Sequence, residues 1–123
     1  MKRILVIDDN KATLETLEAM LERKGFEVRT AKCGNEGLNE LNRSQFDLIV
    51  TDIVMPDGEG LELIYQIRQQ RLQIPIIAMS GGGRLNPSDS FAMAKALGVA
   101  ATLQKPFGAS ELLNVISQSL EAE

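Results

Sequence analysis

The chain has 123 residues, of which 44% are hydrophobic and 24% are charged, and its formal net charge is −4 at pH 7. These values fit one globular domain with its own hydrophobic core and argue against a disordered chain. An acidic chain also lacks the basic surface that binds nucleic acid or anionic membranes, so we expect no direct nucleic-acid binding and no membrane insertion.

The chain contains no histidine and one cysteine, Cys33. The lack of histidine excludes Ser-His-Asp and Cys-His catalysis and most zinc sites. A single cysteine cannot form an internal disulfide, and the apolar run at residues 4–7 is too short for the core of a signal peptide. No apolar stretch approaches the length of a membrane span. We therefore expect a cytoplasmic location.

The first half of the chain is predicted to form two strands and two helices. Residues 4–7 are a continuous apolar run, which is typical of a strand covered on both faces. A helix over about residues 11–24 follows, and Gly25 is well placed just after its end. The alternating pattern of residues 26–30 predicts a half-exposed strand at a sheet edge. Residues 34–42 predict a weaker helix because a glycine lies inside it.

The second half repeats this alternation of strand and helix three times. Apolar runs at residues 48–50 and 74–79 predict two buried strands, and residues 99–104 alternate as a second edge strand would. A helix is predicted over about residues 88–97, and two more are predicted where apolar residues recur at helical spacing. Those apolar residues are Leu61, Ile64 and Ile67 for the third helix and Leu113, Ile116 and Leu120 for the last.

Five successive strand–helix units predict an α/β fold with right-handed crossovers. With the second and fifth strands at the edges, the pattern matches a doubly wound, flavodoxin-like (βα)5 fold. Its five-stranded parallel sheet has the order 2-1-3-4-5, with helices on both faces. The sequence has no linker or low-complexity segment, so we expect residues 1–123 to form one domain.

Polar residues stand at the carboxyl ends of four of the predicted strands. Asp8 and Asp9 follow the first strand, Asp52 the third, Ser80 the fourth and Lys105 the fifth. Ligands of open α/β sheets bind beyond these ends. Because the first, third and fourth strands are neighbours in the predicted order, we expect these side chains to converge on one crevice.

The residue types at this crevice indicate phosphoryl chemistry. Crowded carboxylates repel one another, and a hard dication with oxygen ligands such as Mg²⁺ removes that repulsion. Lys105 supplies a positive charge for an anion, and Ser80 supplies a hydroxyl donor. A carboxylate can accept a phosphoryl group as a mixed anhydride, which hydrolyses readily. The sequence therefore predicts a transient, Mg²⁺-dependent phosphorylation site.

Each of these residues also has a simpler explanation. The two acids after the first strand, together with Asn10, could cap the first helix, and Asp52 could open a turn. Ser80 precedes three glycines and could belong to an ordinary loop, and Lys105 could be one more exposed lysine. The combination at neighbouring strand ends favours a site over these separate explanations.

Four segments that contain these residues resemble the receiver domain of two-component response regulators, and the resemblance covers essentially the whole chain. The segments are ILVIDDN at residues 4–10, DLIVTDIVMPDGEG at residues 47–60, IPIIAMS at residues 74–80 and LQKPF at residues 103–107. Each segment alone is a weak signal. Together, in this order and at these strand ends, they are highly specific.

The resemblance implies a role for each acid. Asp52 would accept a phosphoryl group from a histidine kinase or a histidine phosphotransfer protein. Asp9 and Asp52 would hold Mg²⁺ directly, and Asp8 would act mostly through water. The backbone carbonyl of Val54 would complete the protein ligands.

The resemblance also implies how the site switches. Ser80 would hydrogen-bond a phosphoryl oxygen after phosphorylation, and Lys105 would pair with the same group. The Lys105–Pro106 bond would be cis, an isomer that is accessible before proline. Thr102 stands where receivers commonly carry a tyrosine or phenylalanine that moves inward on activation, so this chain departs from the usual coupling of hydroxyl and aromatic ring.

The leading interpretation is a signalling switch that controls a downstream protein and is not an enzyme with an outside substrate. We expect its partner surface on the fourth helix, fifth strand and fifth helix. The alternative from another class is a Mg²⁺-dependent phosphohydrolase with an aspartyl intermediate, but Val54 stands where such enzymes usually carry a second aspartate. A docking module without phosphorylation is the other alternative, and the intact set of acids, hydroxyl and lysine argues against it.

Overall fold

The structure is a computed structural model that describes residues 1–53, 59–70, 73–81 and 87–121, with the backbone alone for residues 59 and 87–90. Ten elements alternate between strand and helix. The strands are β1 (Arg3–Ile7), β2 (Glu27–Ala31), β3 (Leu48–Asp52), β4 (Ile76–Ser80) and β5 (Ala101–Gln104). The helices are α1 (Lys11–Arg23), α2 (Gly34–Arg43), α3 (Glu59–Gln69), α4 (Pro87–Ala96) and α5 (Ala109–Glu121). No helix within the described residues is long and apolar enough to cross a membrane.

The five strands form one parallel sheet in the order β2-β1-β3-β4-β5. Helices α1 and α5 supply core residues on one face of this sheet, and α2, α3 and α4 supply them on the other. The predicted strand order, the parallel pairing and the position of β2 and β5 at the sheet edges are confirmed.

Burial follows from the strand order. Every residue of β3 and β4 is buried, and so is every residue of β1 after Arg3. The edge strands keep exposed residues, Arg29 in β2 and Gln104 in β5. Strands covered on both faces exclude polar side chains from both, whereas an edge strand tolerates them. This difference explains why the central strands are continuous apolar runs and the edge strands alternate.

Helix α1 has the boundaries that its sequence predicts. The Asn10 side chain caps it by accepting a hydrogen bond from the backbone N–H of Thr13 at 3.0 Å. Its three leucines at helical spacing are buried against the sheet. Gly25 follows the helix with φ of +93°, a left-handed conformation that glycine adopts without strain.

The last helix contains the three apolar residues that predict it, and the structure adds detail on two of the predicted elements. The most buried apolar residues of α5 are Leu112 and Ile116, four positions apart, whereas Leu113 and Leu120 are only partly buried at the edge of that core. Strand β4 begins at Ile76 and not at residue 74, because Pro75 has no N–H to donate to a neighbouring strand.

Two glycines allow helices to approach the sheet closely. In α2, a Cβ on Gly37 would lie 2.7 Å from Cδ1 of Ile7, so this glycine serves packing as well as weakening the helix. In α3, a Cβ on Gly60 would lie 2.3 Å from Cα of Ile53 and 2.6 Å from the carbonyl oxygen of Asp52. The start of α3 therefore rests directly on the backbone at the end of β3.

We predict that Gly60→Ala lowers the free energy of unfolding by about 3 kcal/mol, because backbone atoms of β3 cannot move aside as a flexible side chain can. Gly108→Ala is the matched control, since a Cβ at Gly108 meets no atom within 4 Å, and it should change stability by less than about 1 kcal/mol. Urea denaturation measures both. Equal losses for the two variants would contradict this packing.

Candidate functional site

The sheet brings the predicted polar residues to one edge. Asp52 and Ser80 are the last residues of β3 and β4, Asp8 follows β1 directly and Lys105 follows β5. Because all strands are parallel, these carboxyl ends lie at the same edge. The parallel sheet itself therefore brings these side chains to one edge, as the sequence predicts.

Three carboxylates lie together at this edge. One side-chain oxygen from each of Asp8, Asp9 and Asp52 lies within 4.8 Å of the other two. Asp8 is fully buried and Asp52 is 5% exposed, whereas Asp9 is exposed to solvent. Burial of a carboxylate is unfavourable unless a positive charge or hydrogen-bond donors compensate for the lost water. The buried carboxylates of Asp8 and Asp52 therefore form a closed side of the cluster, and the exposed carboxylate of Asp9 forms an open side.

The ammonium group of Lys105 provides this compensation on the closed side. Its Nζ donates to Oδ2 of Asp8 at 2.6 Å and to Oδ2 of Asp52 at 3.1 Å. Burial by itself lowers the pKa of Lys105. The hydrogen bonds to Asp8 and Asp52 and the charges of both carboxylates together outweigh burial, so the pKa lies above its ordinary value of 10.5. Lys105 is thus a cation shared by two acids.

Asp8 is fixed at both of its carboxylate oxygens. While Oδ2 accepts from Lys105, Oδ1 accepts from the backbone N–H of Asn10 at 2.9 Å. The side chain that caps α1 is that of Asn10. The simpler explanation of this segment as a helix cap therefore holds for Asn10 and does not account for the contact between Asp8 and Lys105.

Ser80 and Lys105 are joined through the backbone. The N–H of Lys105 donates to the carbonyl oxygen of Ser80 at 2.8 Å. The Ser80 side chain is fully buried, and its hydroxyl donates to the carbonyl oxygen of Gly81 over 3.4 Å, a long and weak hydrogen bond. The hydroxyl thus has a weak local partner and lies at the end of the strand next to β3.

Three predicted positions remain, Thr102, Pro106 and Val54. Thr102 is half-buried in β5, opposite Ala78 of β4. The Lys105–Pro106 peptide bond is cis, which is the isomer that the resemblance implies. Val54, whose backbone carbonyl was the fourth expected metal ligand, lies outside the described residues.

The site has the composition of a site for a divalent cation. All three carboxylates offer hard oxygen atoms, which Mg²⁺ prefers to nitrogen or sulfur. Three negative charges and one ammonium leave a local charge of −2 (−3 + 1), equal and opposite to that of Mg²⁺. Asp9 stands on the open side of the cluster, where a hydrated cation can enter. The donor set therefore fits Mg²⁺.

Two residues that the sequence did not single out contact the backbone of Asp52. Gly60 lies against its carbonyl group, as described above. Thr51 is fully buried, and its hydroxyl donates to the same carbonyl oxygen at 3.0 Å. A polar residue inside an otherwise apolar strand was the available signal for Thr51. No local pattern reveals Gly60, because its contact is with another element.

The family of the chain follows from a comparison with known proteins. The family model of the response regulator receiver domain matches residues 4–117. The chain therefore belongs to the response regulator receiver domain family. It is a receiver domain of two-component systems, the signalling module that accepts a phosphoryl group. The resemblance derived from the four sequence segments is confirmed.

Two similar curated proteins are transcriptional regulators. The chain is 32% identical to the cell cycle transcriptional regulator CtrA of Caulobacter vibrioides over 111 residues, which are 90% of this chain and 47% of CtrA. It is 38% identical to the DNA-binding transcriptional regulator NtrC of Azospirillum brasilense over 119 residues, 97% of this chain and 24% of NtrC. The chain thus spans less than half the length of these relatives.

Solved structures share the whole fold. A CheY-like receiver domain protein from Methanospirillum hungatei aligns with a TM-score of 0.90 and 32% identity, over 99% of this chain and 95% of that one. A receiver domain protein from Clostridium thermocellum aligns with a TM-score of 0.88 and 30% identity, over 99% and 96% of the two chains. The predicted (βα)5 fold is confirmed by these neighbours as well.

We predict that Lys105→Met lowers the free energy of unfolding by about 2 kcal/mol at pH 7 in buffer with a chelator, because it leaves buried carboxylates without their cation. The Lys105 side chain is 23% exposed, so we expect a smaller loss of stability than the removal of a fully buried partner would cause. Lys95→Met, at an exposed position of α4, is the control and should change stability by less than about 0.5 kcal/mol.

The effect of Lys105→Met should also depend on pH with a definite sign. Because the folded protein raises the pKa of Lys105, the ion pair contributes its full stability below the ordinary value of 10.5 and loses it as pH rises through the folded value. The stability difference between wild type and variant should therefore be constant around neutral pH and shrink above pH 10.5. A difference that grows with alkaline pH would contradict this ion pair.

Proposed function

We propose that residues 1–123 form one receiver domain in which Asp52 accepts a phosphoryl group from a histidine kinase or a histidine phosphotransfer protein. The observation that carries this proposal is the ammonium of Lys105 beside the carboxylates of Asp8 and Asp52. The Asp52 carboxylate thus lies next to a positive charge, which would stabilise the negative oxygen atoms of a phosphoryl group. In this proposal Asp52 is the nucleophile, Lys105 pairs with the transferred group and the acids hold Mg²⁺.

The reaction is a phosphoryl transfer between two side chains. A carboxylate oxygen of Asp52 forms a bond to phosphorus while the bond between phosphorus and the donor's imidazole nitrogen breaks. The electron pair of the broken bond stays on that nitrogen, which then takes up a proton from solvent. Bound Mg²⁺ would supply charge neutralisation for the phosphoryl oxygens.

Each residue of the cluster has a proposed part in this reaction. Asp9 and Asp52 would hold the metal ion directly, the backbone carbonyl of Val54 would complete the protein ligands, and Asp8 would act through water. Asp8 also keeps Lys105 in place before phosphorylation, as its 2.6 Å contact supports. Lys105 needs only a small movement to pair with a phosphoryl group on Asp52, since its Nζ already lies 3.1 Å from that carboxylate.

The proposed switch uses the hydroxyl of Ser80. Its hydrogen bond to the carbonyl of Gly81 is long, so a phosphoryl oxygen, which is charged, would be a stronger acceptor. Movement of Ser80 would also affect Lys105 and β5, because the Lys105 N–H is bonded to the Ser80 carbonyl. Thr102 of β5, opposite Ala78 of β4, takes the place of the usual aromatic ring in the proposed switch.

The output would be a change in affinity for a protein partner. A phosphoryl group shifts the equilibrium toward the conformer that binds it better, and that conformer would expose a partner surface on α4, β5 and α5. We propose a cytoplasmic location and a downstream protein target, with no direct nucleic-acid binding by this domain. Its only catalysis would be its own phosphorylation and dephosphorylation.

We predict that wild-type protein treated with acetyl phosphate and Mg²⁺ gains the mass of one phosphoryl group, and that Asp52→Asn does not, because an amide oxygen is a far weaker nucleophile than a carboxylate. Asp47→Asn, just before the other end of the same strand, is the matched control and should be phosphorylated as wild type. Mass spectrometry of the intact chain measures this.

Removal of Mg²⁺ by a chelator should stop the reaction, and the bound group should be labile in base, as an acyl phosphate is. Phosphorylation of Asp52→Asn to the same extent as wild type would overturn the assignment of Asp52. Sustained release of phosphate from small phosphoesters, many turnovers per chain, would instead support the phosphohydrolase.

A further inference from the structure

Thr51 is a polar residue in a strand that is otherwise apolar until Asp52. Its side chain is completely buried on the face of the sheet that α2, α3 and α4 cover, between Ile7 of β1 and Ala78 of β4. Valine or isoleucine would fit such a position in a strand without a polar group to satisfy. The Thr51 hydroxyl therefore needs a hydrogen-bond partner. The identity of that partner indicates what Thr51 does.

The partner is the peptide group that follows the proposed phosphoacceptor. The Thr51 hydroxyl donates to the carbonyl oxygen of Asp52 at 3.0 Å. The N–H of the same peptide group, that of Ile53, donates to the carbonyl oxygen of Met79 at 2.9 Å. A peptide group is planar, so bonds at both of its polar atoms fix its rotation. The Asp52–Ile53 peptide is thus held from both sides.

Gly60 adds a third constraint on the same peptide group. Its Cα lies so close that a Cβ would approach the Asp52 carbonyl oxygen to 2.6 Å and the Ile53 Cα to 2.3 Å. Gly60 therefore packs closely against this peptide group on the side of α3. This peptide group is attached to the Cα of Asp52, so contacts that hold it restrict the backbone from which the Asp52 carboxylate extends toward Lys105.

We propose that Thr51 is a positioning residue for the phosphorylation reaction, because its hydroxyl holds the Asp52–Ile53 peptide and so aims the Asp52 carboxylate. This inference rests on the proposed role of Asp52 as phosphoacceptor. In the reaction, a bond forms from the carboxylate oxygen to phosphorus as the bond from phosphorus to the leaving group breaks, and its rate depends on the alignment of these atoms. Thr51 itself touches neither the donor nor the phosphoryl group.

The test compares Thr51→Val, which keeps the shape and removes the hydroxyl, with Thr51→Ser, which keeps the hydroxyl. Phosphorylation by acetyl phosphate is followed at saturating Mg²⁺ over a range of donor concentrations. We expect the rate constant at saturating donor to fall about fivefold in Thr51→Val, the loss of one neutral hydrogen bond, with an unchanged half-saturating concentration. Thr51→Ser should recover the rate, which a change in packing alone would not explain.

Thr30→Val is the matched control, because Thr30 is a half-buried threonine of β2 that lies outside the acidic cluster. It should phosphorylate at the wild-type rate. Urea denaturation of all variants establishes that each is folded under the assay conditions. A folded Thr51→Val with the wild-type rate constant, or a Thr51→Ser as slow as Thr51→Val, would overturn the proposal.

A second measurement does not depend on phosphorylation. Hydrogen exchange of the Ile53 amide, followed by NMR, should be about fivefold faster in Thr51→Val than in wild type, and close to wild type in Thr51→Ser. If wild-type protein takes up no phosphoryl group, the proposed function fails. The hydrogen-exchange result still decides whether Thr51 holds this peptide. An unchanged exchange rate of the Ile53 amide in Thr51→Val would overturn that part of the proposal.

Discussion

The ammonium of Lys105, shared between the buried carboxylates of Asp8 and Asp52, is the interaction on which the rest of the site depends. Without it, the fold would bury like charges at the ends of two neighbouring strands, which the loss of solvation makes strongly unfavourable. One ammonium cannot neutralise three acids, so the cluster remains attractive to a divalent cation on its open side. The same lysine, held by the backbone bond to Ser80, then lies within reach of an anion on Asp52. The charges that stabilise the folded site are thus the same charges that the proposed reaction uses.

The hydrophobic core determines where movement is allowed in this domain. Strands β1, β3 and β4 are buried on both faces and fixed by packing, so they present their last residues in a constant arrangement. On β3 this rigidity extends one peptide further, through the contacts of Thr51 and Gly60 with the backbone of Asp52. Ser80 differs, because the bond that its hydroxyl makes within the described residues is a long one, to the carbonyl oxygen of Gly81. We infer that Asp52, the proposed nucleophile, is held in place and that the Ser80 hydroxyl is the part that would respond to phosphorylation.

Much of this arrangement can be predicted from the sequence, for a physical reason. Covered and half-exposed strands differ in their apolar pattern, which identified the central and edge strands and hence the residues at their carboxyl ends. Contacts between elements leave no such local trace. The packing of Gly60 on β3 and the choice of Leu112 over Leu113 for the α5 core depend on how helices lie on the sheet. The bond from Thr51 was missed because a buried threonine in a strand has many ordinary explanations.

The central claim is that side-chain oxygens of the three acids form one magnesium site next to Lys105, and titration calorimetry with Mg²⁺ tests it most directly. Wild-type protein and Glu22→Ala, a control at an exposed acid of α1, should each bind one ion with the same affinity. Asp9→Ala should bind at least about tenfold more weakly, because it removes a direct oxygen ligand from the open side of the cluster. Binding to Asp9→Ala with wild-type affinity, or no binding to the wild-type protein, would contradict the account.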